Sequence, residues 1–152
     1  MNAKKAFYFN KNSPIKKITL KQLELKLHKK FKRVCFHNDI SDPHQEMLIS
    51  QRKLSFYPPK KNISTDQTFL IIKGKLMILI FDSRGKILEK VVLSKKKNYL
   101  CRVKKNIYHC DVPLSNNTIH YESNNHAFKT RKIQFLKKKY LKDFYRFLKT
   151  QQ

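Results

Sequence analysis

The chain has 152 residues, of which 40% are hydrophobic, so it is long enough to form a single domain with its own core. Its longest apolar run, Leu76–Phe81, is too short to span a bilayer, and we expect no transmembrane segment. The amino terminus lacks an apolar segment followed by a small-residue cleavage site, so we expect no secretion signal. The three cysteines have no paired spacing, which indicates reduced thiols and a cytoplasmic protein.

The formal net charge is +25, which is typical of chains that bind nucleic acids or anionic membrane surfaces. Only six of the 35 basic residues are arginines, the side chains that best read base edges and bind phosphates with two hydrogen bonds. A lysine-dominated charge along the whole chain is also what an AT-rich coding sequence produces. We therefore expect non-specific polyanion binding, and keep specific nucleic-acid binding as an alternative function.

The amino-terminal third begins with a basic, irregular segment over residues 1–17. Thr19 and Gln22 match a capping box, and leucines follow at roughly helical spacing, so a helix is predicted from about Leu20 to Lys32. Val34 and Phe36 alternate with polar residues as in an edge strand, and a turn is predicted at Asp42-Pro43.

The middle of the chain is predicted to be rich in short strands. Leu54–Tyr57 is predicted to be a strand that ends at Pro58-Pro59, and Lys60–Gln67 a polar loop. The only two glycines, Gly74 and Gly85, separate three apolar runs within Thr68–Leu93. Because glycine reaches a positive φ without steric cost, this stretch predicts an antiparallel meander with both glycines in hairpin turns.

Three further strands are predicted at Tyr99–Val103, Ile107–Cys110 and Thr118–Glu122, with a loop at Pro113–Asn117 between the last two. About eight short strands with frequent turns favour a sandwich or a barrel. From Lys132 onward apolar residues recur at helical spacing with basic residues between them, which predicts an amphipathic C-terminal helix. We expect this helix to pack on the outside of the barrel or on a dimer mate, with a membrane-surface or nucleic-acid face as alternatives.

Several segments resemble the WbuC family of small cupins, which is found among bacterial surface-polysaccharide genes. The resemblance is carried by DPHQEML (Asp42–Leu48), by FDSRGKILEKVVL (Phe81–Leu93) and by the aromatic-histidine pair Tyr108-His109. It covers roughly Arg33 to Phe128. It implies a single cupin-like antiparallel β-barrel (jelly roll) at 33–128. Together with the helices predicted above, the chain is expected to be mainly β, with an N-terminal basic segment and helix at 1–32 and an amphipathic basic C-terminal helix at 129–152.

The resemblance also implies a metal site inside the barrel, whose ligand positions fall on Lys60, Asn62, Gln67 and His109. Of these, only His109 is a usual ligand, because the lysine nitrogen is protonated and amide oxygens bind transition metals weakly. We therefore expect no metal and no cofactor. An alternative rebuilt site would use cysteine and histidine side chains: Cys35, His37, His44 and Cys110. His109 and Cys110 are neighbours on one strand and should point to opposite faces, which favours structural, buried cysteines.

The resemblance directs a set of polar side chains toward the barrel interior, where they would form a ligand pocket: Arg33, His37, Tyr57, Lys60, Gln67, His109 and Glu122. Such a pocket suits a sugar or a sugar nucleotide. His109 is the best candidate for a catalytic or binding role. The alternative is that His109 is a core residue, hydrogen-bonded to Gln67 or Glu122.

Three functions follow from these patterns. The first is a metal-free, degenerate cupin-like binding protein linked to bacterial surface-polysaccharide or sugar-nucleotide metabolism. The second is a cupin-type sugar isomerase or epimerase that uses His109 as its base. The third is a basic nucleic-acid-binding protein that uses the C-terminal helix and the lysine-rich loops.

Overall fold

The computed structural model describes residues 6–8, 13–19, 21–23 and 33–151, and within them eleven strands form two sheets. The first sheet has the order β1-β2-β3-β10-β5-β8 and the second the order β11-β4-β9-β6-β7. The strands are β1 (Ala6–Tyr8), β2 (Arg33–Cys35), β3 (Gln45–Gln51), β4 (Lys60–Asn62), β5 (Gln67–Lys73), β6 (Leu76–Phe81), β7 (Ile87–Leu93), β8 (Leu100–Val103), β9 (Tyr108–Pro113), β10 (Thr118–Asn124) and β11 (Ile133–Phe135).

The two sheets stay separate and do not close on each other, so the predicted single antiparallel barrel is wrong. The architecture is a mainly β, two-sheet jelly roll with little helix. All strand pairs are antiparallel except β1 and β2, which run parallel. Strand β1 lies in the segment expected to be irregular, and because it pairs with β2, the strand at Val34 is not an edge strand. The strands predicted around residues 99–103, 107–110 and 118–122 are confirmed as β8, β9 and β10.

The two glycines occupy different kinds of connection. Gly85 has a φ of 84° and lies in the turn of the β6–β7 hairpin, as predicted. Gly74, with a φ of 81°, lies where the chain leaves one sheet and enters the other, because β5 pairs with β10 and β8 but not with β6. The predicted three-stranded meander is therefore wrong at its first turn. Strand β6 is buried on both faces because β5, in the first sheet, covers one face and the carboxyl-terminal helix covers the other.

The segment between β3 and β5 also differs from the prediction. Leu54–Tyr57 is not a strand: Leu54 has a left-handed φ of 55° and its N–H donates to the carbonyl of Pro113 at 2.8 Å. Within the predicted loop Lys60–Gln67, residues 60–62 form β4 instead. Strand β3, at Gln45–Gln51, was not anticipated, because its sequence QEMLISQ shows no regular alternation.

The carboxyl-terminal segment contains a strand before its helix. Residues 133–135 form β11 and pair with β4, and a single 3-10 turn at Lys138–Tyr140 precedes the helix α1, Lys142–Lys149. The predicted helix from Lys132 therefore begins about ten residues later, because pairing with β4 overrides the helical spacing. Helix α1 packs on the outer face of the second sheet, where Phe144 and Leu148 join the core cluster. No described helix is long and apolar enough to cross a membrane.

The predicted helix from Leu20 to Lys32 lies largely outside the described residues. Residues 21–23 are helical, and the expected capping contacts are present: the Gln22 N–H donates to Thr19 Oγ1 at 3.2 Å, and the Thr19 N–H donates to Gln22 Oε1 at 2.9 Å. Residues 20 and 24–32 are not described, and neither are 1–5 and 9–12 of the basic segment before them.

The space between the sheets is apolar at one end and polar at the other. The apolar end is filled by a buried cluster from β5 to β8: Phe69, Ile71, Leu76, Ile78, Leu93 and Val103. The polar end lies between β3 and β10 of the first sheet and β4 and β9 of the second. Its buried polar side chains include Asn62, Gln67, His109, Asp111, His120 and Glu122.

Candidate functional site

Side chains alternate between the two faces of strands β9 and β10, and on both strands polar side chains point into the interior. On β9, His109 and Asp111 face the first sheet, whereas Cys110 and Val112 face the helix-covered core on the other side. On β10, His120 and Glu122 face inward, whereas Ile119 packs in an outer cluster. These two strands therefore place two acids and two histidines in one buried region.

Three of the four positions that correspond to metal ligands are joined by hydrogen bonds instead. Asn62 Nδ2 donates to Gln67 Oε1 at 2.8 Å, and Gln67 Nε2 donates to Glu122 Oε2 at 2.8 Å. His109 Nε2 lies 3.2 Å from Gln67 Oε1, and His120 Nε2 donates to Glu122 Oε1 at 3.0 Å. We refer to these five side chains (Asn62, Gln67, His109, His120 and Glu122) as the polar network.

His109 is held as a neutral imidazole within this network. Its exposed fraction is 1%, and burial lowers its pKa to about 4, although the carbonyl of Ile107, 2.9 Å from Nδ1, opposes the shift. A neutral imidazole has one N–H, yet both of its nitrogens face oxygen atoms. If the single N–H donates to one of these oxygens, no proton lies between the other nitrogen and its oxygen. With the N–H on Nδ1, the contact with Gln67 becomes a hydrogen bond only if the Gln67 amide turns its NH₂ group toward His109.

The two acids of the site have opposite shifts. Burial alone would raise the pKa of Glu122, but the hydrogen bond and charge of His120, together with Lys60 and Arg33, lower it to about 2. Burial, followed by repulsion from Glu122, raises the pKa of Asp111. Glu122 is therefore the charged acid, and Asp111 binds a proton more readily.

The residues at the expected ligand positions do not fit a metal. The amides of Asn62 and Gln67 bind each other, His109 is their neighbour, and the fourth position holds the ammonium of Lys60. A different group, Asp111, His120 and Glu122, has potential ligand atoms within 4.8 Å of one another. In that group the Nε2 of His120 and one oxygen of Glu122 are already hydrogen-bonded to each other. Three basic side chains line the cavity beside Asp111 and Glu122, which disfavours a metal cation there.

A cavity of about 220 Å³ lies at the polar end of the interior. Its apolar wall is formed by β3, β11 and the segment before β11: Met47, Ile49, Phe128, Ile133 and Phe135. Its charged side chains come from β2, β4, β9, β10 and residue 131: Arg33, Lys60, Asp111, Glu122 and Arg131. Tyr57 also lines the cavity and is 50% exposed, so it lies at the entrance.

Lys60 connects the polar network to the cavity. It pairs with His109 across β4 and β9, and it lines the cavity. Burial lowers its pKa, while Glu122 and Asp111 oppose that shift and the arginines Arg131 and Arg33 add to it. The Lys60 amine thus lies among two carboxylates and two guanidinium groups, and it faces open space inside the protein.

The structure brings together only part of the predicted pocket. Four of the predicted side chains line the cavity: Arg33, Tyr57, Lys60 and Glu122. Gln67 and His109 lie behind the cavity wall, in the polar network. His37 lies elsewhere, with Nδ1 2.9 Å from the backbone oxygen of Glu46 and its ring against that of Tyr8.

Three site residues were missed by the sequence reasoning: Asp111, His120 and Arg131. The first two carry a signal, because His109 and Asp111, and likewise His120 and Glu122, are two residues apart on strands and so share a face. Arg131 has no such signal, since it lies in an irregular segment before β11.

The cysteines do not assemble into a site with the histidines. Cys110 faces the core under α1, away from His109, and its Sγ–H donates to the carbonyl of Tyr57 at 3.1 Å. Cys35 packs with Met47 and Ile49, and burial raises its pKa to about 11. His44 lies in the loop before β3, where its Nε2 is 3.5 Å from Glu46. These placements favour the structural reading of the cysteines.

Comparisons with known proteins address the fold. A family model described as a domain of unknown function (DUF6016) matches residues 25–93. No curated protein matches the chain.

Several solved structures resemble the chain. The capsular polysaccharide assembling protein CapF from Staphylococcus aureus has a TM-score of 0.55 and 16% identity, over 63% of this chain and 27% of that one. An oxalate oxidase in complex with glycolate has a TM-score of 0.50 and 14% identity, over 62% of this chain and 46% of that one. Procruciferin, an 11S globulin from Brassica napus, has a TM-score of 0.50 and 14% identity, over 62% and 23%.

This chain therefore spans less than half of the length of each of these three proteins. At such identities the likeness concerns the fold alone. It places the two-sheet jelly roll of this chain among the cupin folds.

Proposed function

We propose that this protein is a metal-free cupin-like binding protein that takes a small, sugar-like ligand in its interior cavity. The observation that carries the proposal is the division of the cavity wall. One side offers hydroxyl and charged groups from Tyr57, Lys60, Asp111 and Glu122, and the other offers aromatic and aliphatic surface such as Phe128. Sugars present hydroxyl groups along their edges and C–H groups on their faces, so they match both sides.

The metal-free character rests on the polar network. Each of the amides at positions 62 and 67 has a protein partner where a cupin metal would need a ligand, and His109 is hydrogen-bonded behind them. Binding energy would then come from hydrogen bonds and charge at the cavity wall, without coordination to an ion.

The biological setting is supported by two separate likenesses. The sequence motifs resemble the WbuC family, which occurs among bacterial surface-polysaccharide genes, and one structural neighbour is a capsular polysaccharide assembling protein. Both support a role in surface-polysaccharide or sugar-nucleotide metabolism.

The alternative of a sugar isomerase or epimerase has less support than binding. A general base must come within hydrogen-bond reach of the substrate proton, but His109 is not among the residues that line the cavity. Glu122 and Lys60 do reach the cavity, so a catalytic role would rest on them rather than on His109.

The test is saturation-transfer NMR with neutral hexoses, uronic acids, sugar phosphates and UDP-sugars, at about 0.2 M salt so that the net charge is screened. We expect at least one saccharide to bind, with its signal weakened by Tyr57→Phe and by Glu122→Gln. Tyr99→Phe, at an exposed tyrosine away from the cavity, is the matched control and should change nothing. Absence of binding across the panel, or equal effects of the Tyr57 and Tyr99 changes, would overturn the proposal.

A further inference from the structure

Three basic side chains line the cavity, and none forms a direct ion pair with a carboxylate among the described residues. Arg33, Lys60 and Arg131 all contribute to the wall. Two of the four arginines outside the cavity form ion pairs: Arg102 with Asp66 at 2.7 Å, and Arg146 with an aspartate one turn away. The cations of the cavity form no such ion pair, although a carboxylate partner is the usual requirement for burying a charge.

The two guanidinium groups are held in place by aromatic rings. Arg33 Nη2 donates to the hydroxyl of Tyr57 at 2.9 Å, and its guanidinium carbon lies 5.6 Å from the centre of that ring. The guanidinium of Arg131 lies 5.0 Å from the ring centre of Phe128. Contacts of this kind hold the planar group in place, and the hydrogen bond to Tyr57 uses only one donor of Arg33.

Arg131 also retains an unused donor. Its Nε is buried and has no hydrogen-bond partner. An unpaired buried donor costs free energy, and a bound acceptor would remove that cost. Arginine donors bind two-oxygen anions such as carboxylate and phosphate with two parallel hydrogen bonds.

The acids of the cavity do not balance these three charges. Glu122 is engaged by His120 and Gln67 through both of its oxygens. Asp111 accepts from Gln51 at 3.3 Å, and its burial beside Glu122 favours its protonated form. Three basic groups and two acids line the cavity, so basic groups outnumber acids close to its apolar wall.

We infer that the ligand carries an anionic group, a carboxylate or a phosphate, which Arg33, Lys60 and Arg131 bind while the sugar ring lies against Phe128 and Phe135. This inference rests on the proposed function and adds the charge of the ligand to it. The volume of about 220 Å³ is below the range of roughly 300–1,000 Å³ for pockets that enclose drug-sized molecules. It suits a single acidic or phosphorylated monosaccharide, and the nucleotide of a sugar nucleotide would remain outside.

The test compares three probes of similar size by calorimetric titration at about 0.2 M salt: D-glucose, D-glucuronate and D-glucose 6-phosphate. We expect at least one of the two anionic probes to bind at least about tenfold more tightly than glucose. The glucuronate and phosphate arms distinguish a carboxylate site from a phosphate site. If glucose binds as tightly as both anions, the inference fails while the proposed function stands. If none of the three probes binds, the inference of an anionic ligand fails as well.

Variants then assign the effect to the cavity. Arg131→Gln and, separately, Arg33→Gln should weaken the anionic probe at least about tenfold and leave glucose nearly unchanged. Arg84→Gln, which removes the same charge from an exposed hairpin turn, is the matched control. Equal effects of Arg131→Gln and Arg84→Gln, in variants whose circular dichroism is that of the wild type, would overturn the inference.

Discussion

His109 on β9 and Gln67 on β5 join the two sheets across the interior, with Nε2 of the histidine 3.2 Å from Oε1 of the glutamine. The two strands belong to different sheets, so this contact is one of the polar links between the layers. It lies beside the aromatic ring of Phe69, whose centre is 6.1 Å from that of the imidazole. A polar link at this depth is sensitive to the charge of the imidazole.

We expect the stability of the protein to fall as the pH is lowered from about 6.5 to 4. Burial lowers the pKa of His109 to about 4 from an ordinary value of 6.5, so in this window the unfolded chain binds a proton that the folded chain does not. One pKa unit corresponds to about 1.4 kcal/mol, so the free energy of unfolding should drop by about 3 kcal/mol across the window. Urea unfolding at a series of pH values measures this.

The assignment to His109 needs two variants. His109→Gln should flatten the pH dependence between 6.5 and 4, whereas His44→Gln, at an exposed histidine, should leave it as in the wild type. An unchanged slope in His109→Gln would show that other groups dominate, such as His37, whose pKa is also lowered by burial.

The variant His109→Ala distinguishes a ligand-binding role of His109 from a purely structural role in the core. If His109 supports ligand binding, the change should leave folding nearly intact and weaken binding by about 1–3 kcal/mol. If it is a core residue, the melting temperature should fall and the ligand affinity should stay. The sequence favours binding, whereas the burial of His109 behind the cavity favours a structural role. Thermal unfolding and titration of one variant decide between them.

The purified protein, prepared without a histidine tag, should contain no stoichiometric transition metal. Lysine and amide side chains at positions 60, 62 and 67 are poor ligands, and the hydrogen bonds of the two amides would have to break before these could bind a metal. Elemental analysis by mass spectrometry measures the content directly. About one zinc, iron or nickel per chain would contradict the prediction. Its loss in His120→Ala but not in His109→Ala would assign it to the group of Asp111, His120 and Glu122.

Gly85→Ala should destabilise the protein by at least about 3 kcal/mol. Its φ is 84°, and a Cβ at this position would lie 2.1 Å from the carbonyl oxygen of Tyr140, so the hairpin turn and the carboxyl-terminal segment would have to separate. Gly74→Ala is the control, because it has a similar φ of 81° but a nearest contact of 3.0 Å, with Thr118 Oγ1. Denaturant unfolding compares the two; equal losses would show that the Tyr140 contact adds nothing to the backbone strain.

Polyanion binding should be electrostatic and independent of sequence. The affinity for a DNA duplex should fall with salt at a logarithmic slope near −0.9 per neutralised phosphate, and become weak by about 0.2 M salt. Fluorescence anisotropy with two duplexes of unrelated sequence measures both properties. Discrimination between the duplexes at about 0.2 M salt would instead favour the nucleic-acid-binding alternative.

The strands that the sequence predicted correctly are those with a clear local pattern. The β6–β7 hairpin carries Asp82 and Gly85 at its turn and apolar runs on both sides, so its position follows from the sequence. Which sheet a strand joins does not follow, because Gly74 supplies the same positive φ in a crossover as in a hairpin. Strand β3 was missed because it lies in the middle of its sheet, where burial on both faces removes the alternation.

The candidate site was predictable to a similar extent. Arg33, Lys60 and Glu122 were placed at the cavity through the family resemblance, and the hydrogen bond between His109 and Gln67 was among the expected partners. Arg131 was not, because it is 98 residues from Arg33 and only the packing of the segment before β11 brings the two side chains to one cavity. Contacts of this kind depend on topology, which a single sequence does not encode locally.

Strand β9 has a consequence for how the protein can change over evolutionary time. Its odd-numbered residues, His109 and Asp111, belong to the polar interior, and its even-numbered residues, Cys110 and Val112, support α1. Substitutions in one set alter the chemistry of the site, and substitutions in the other alter the packing of the helix. The lining of the cavity, through Asp111, and the packing under α1 can therefore change separately along the same six residues, Tyr108–Pro113.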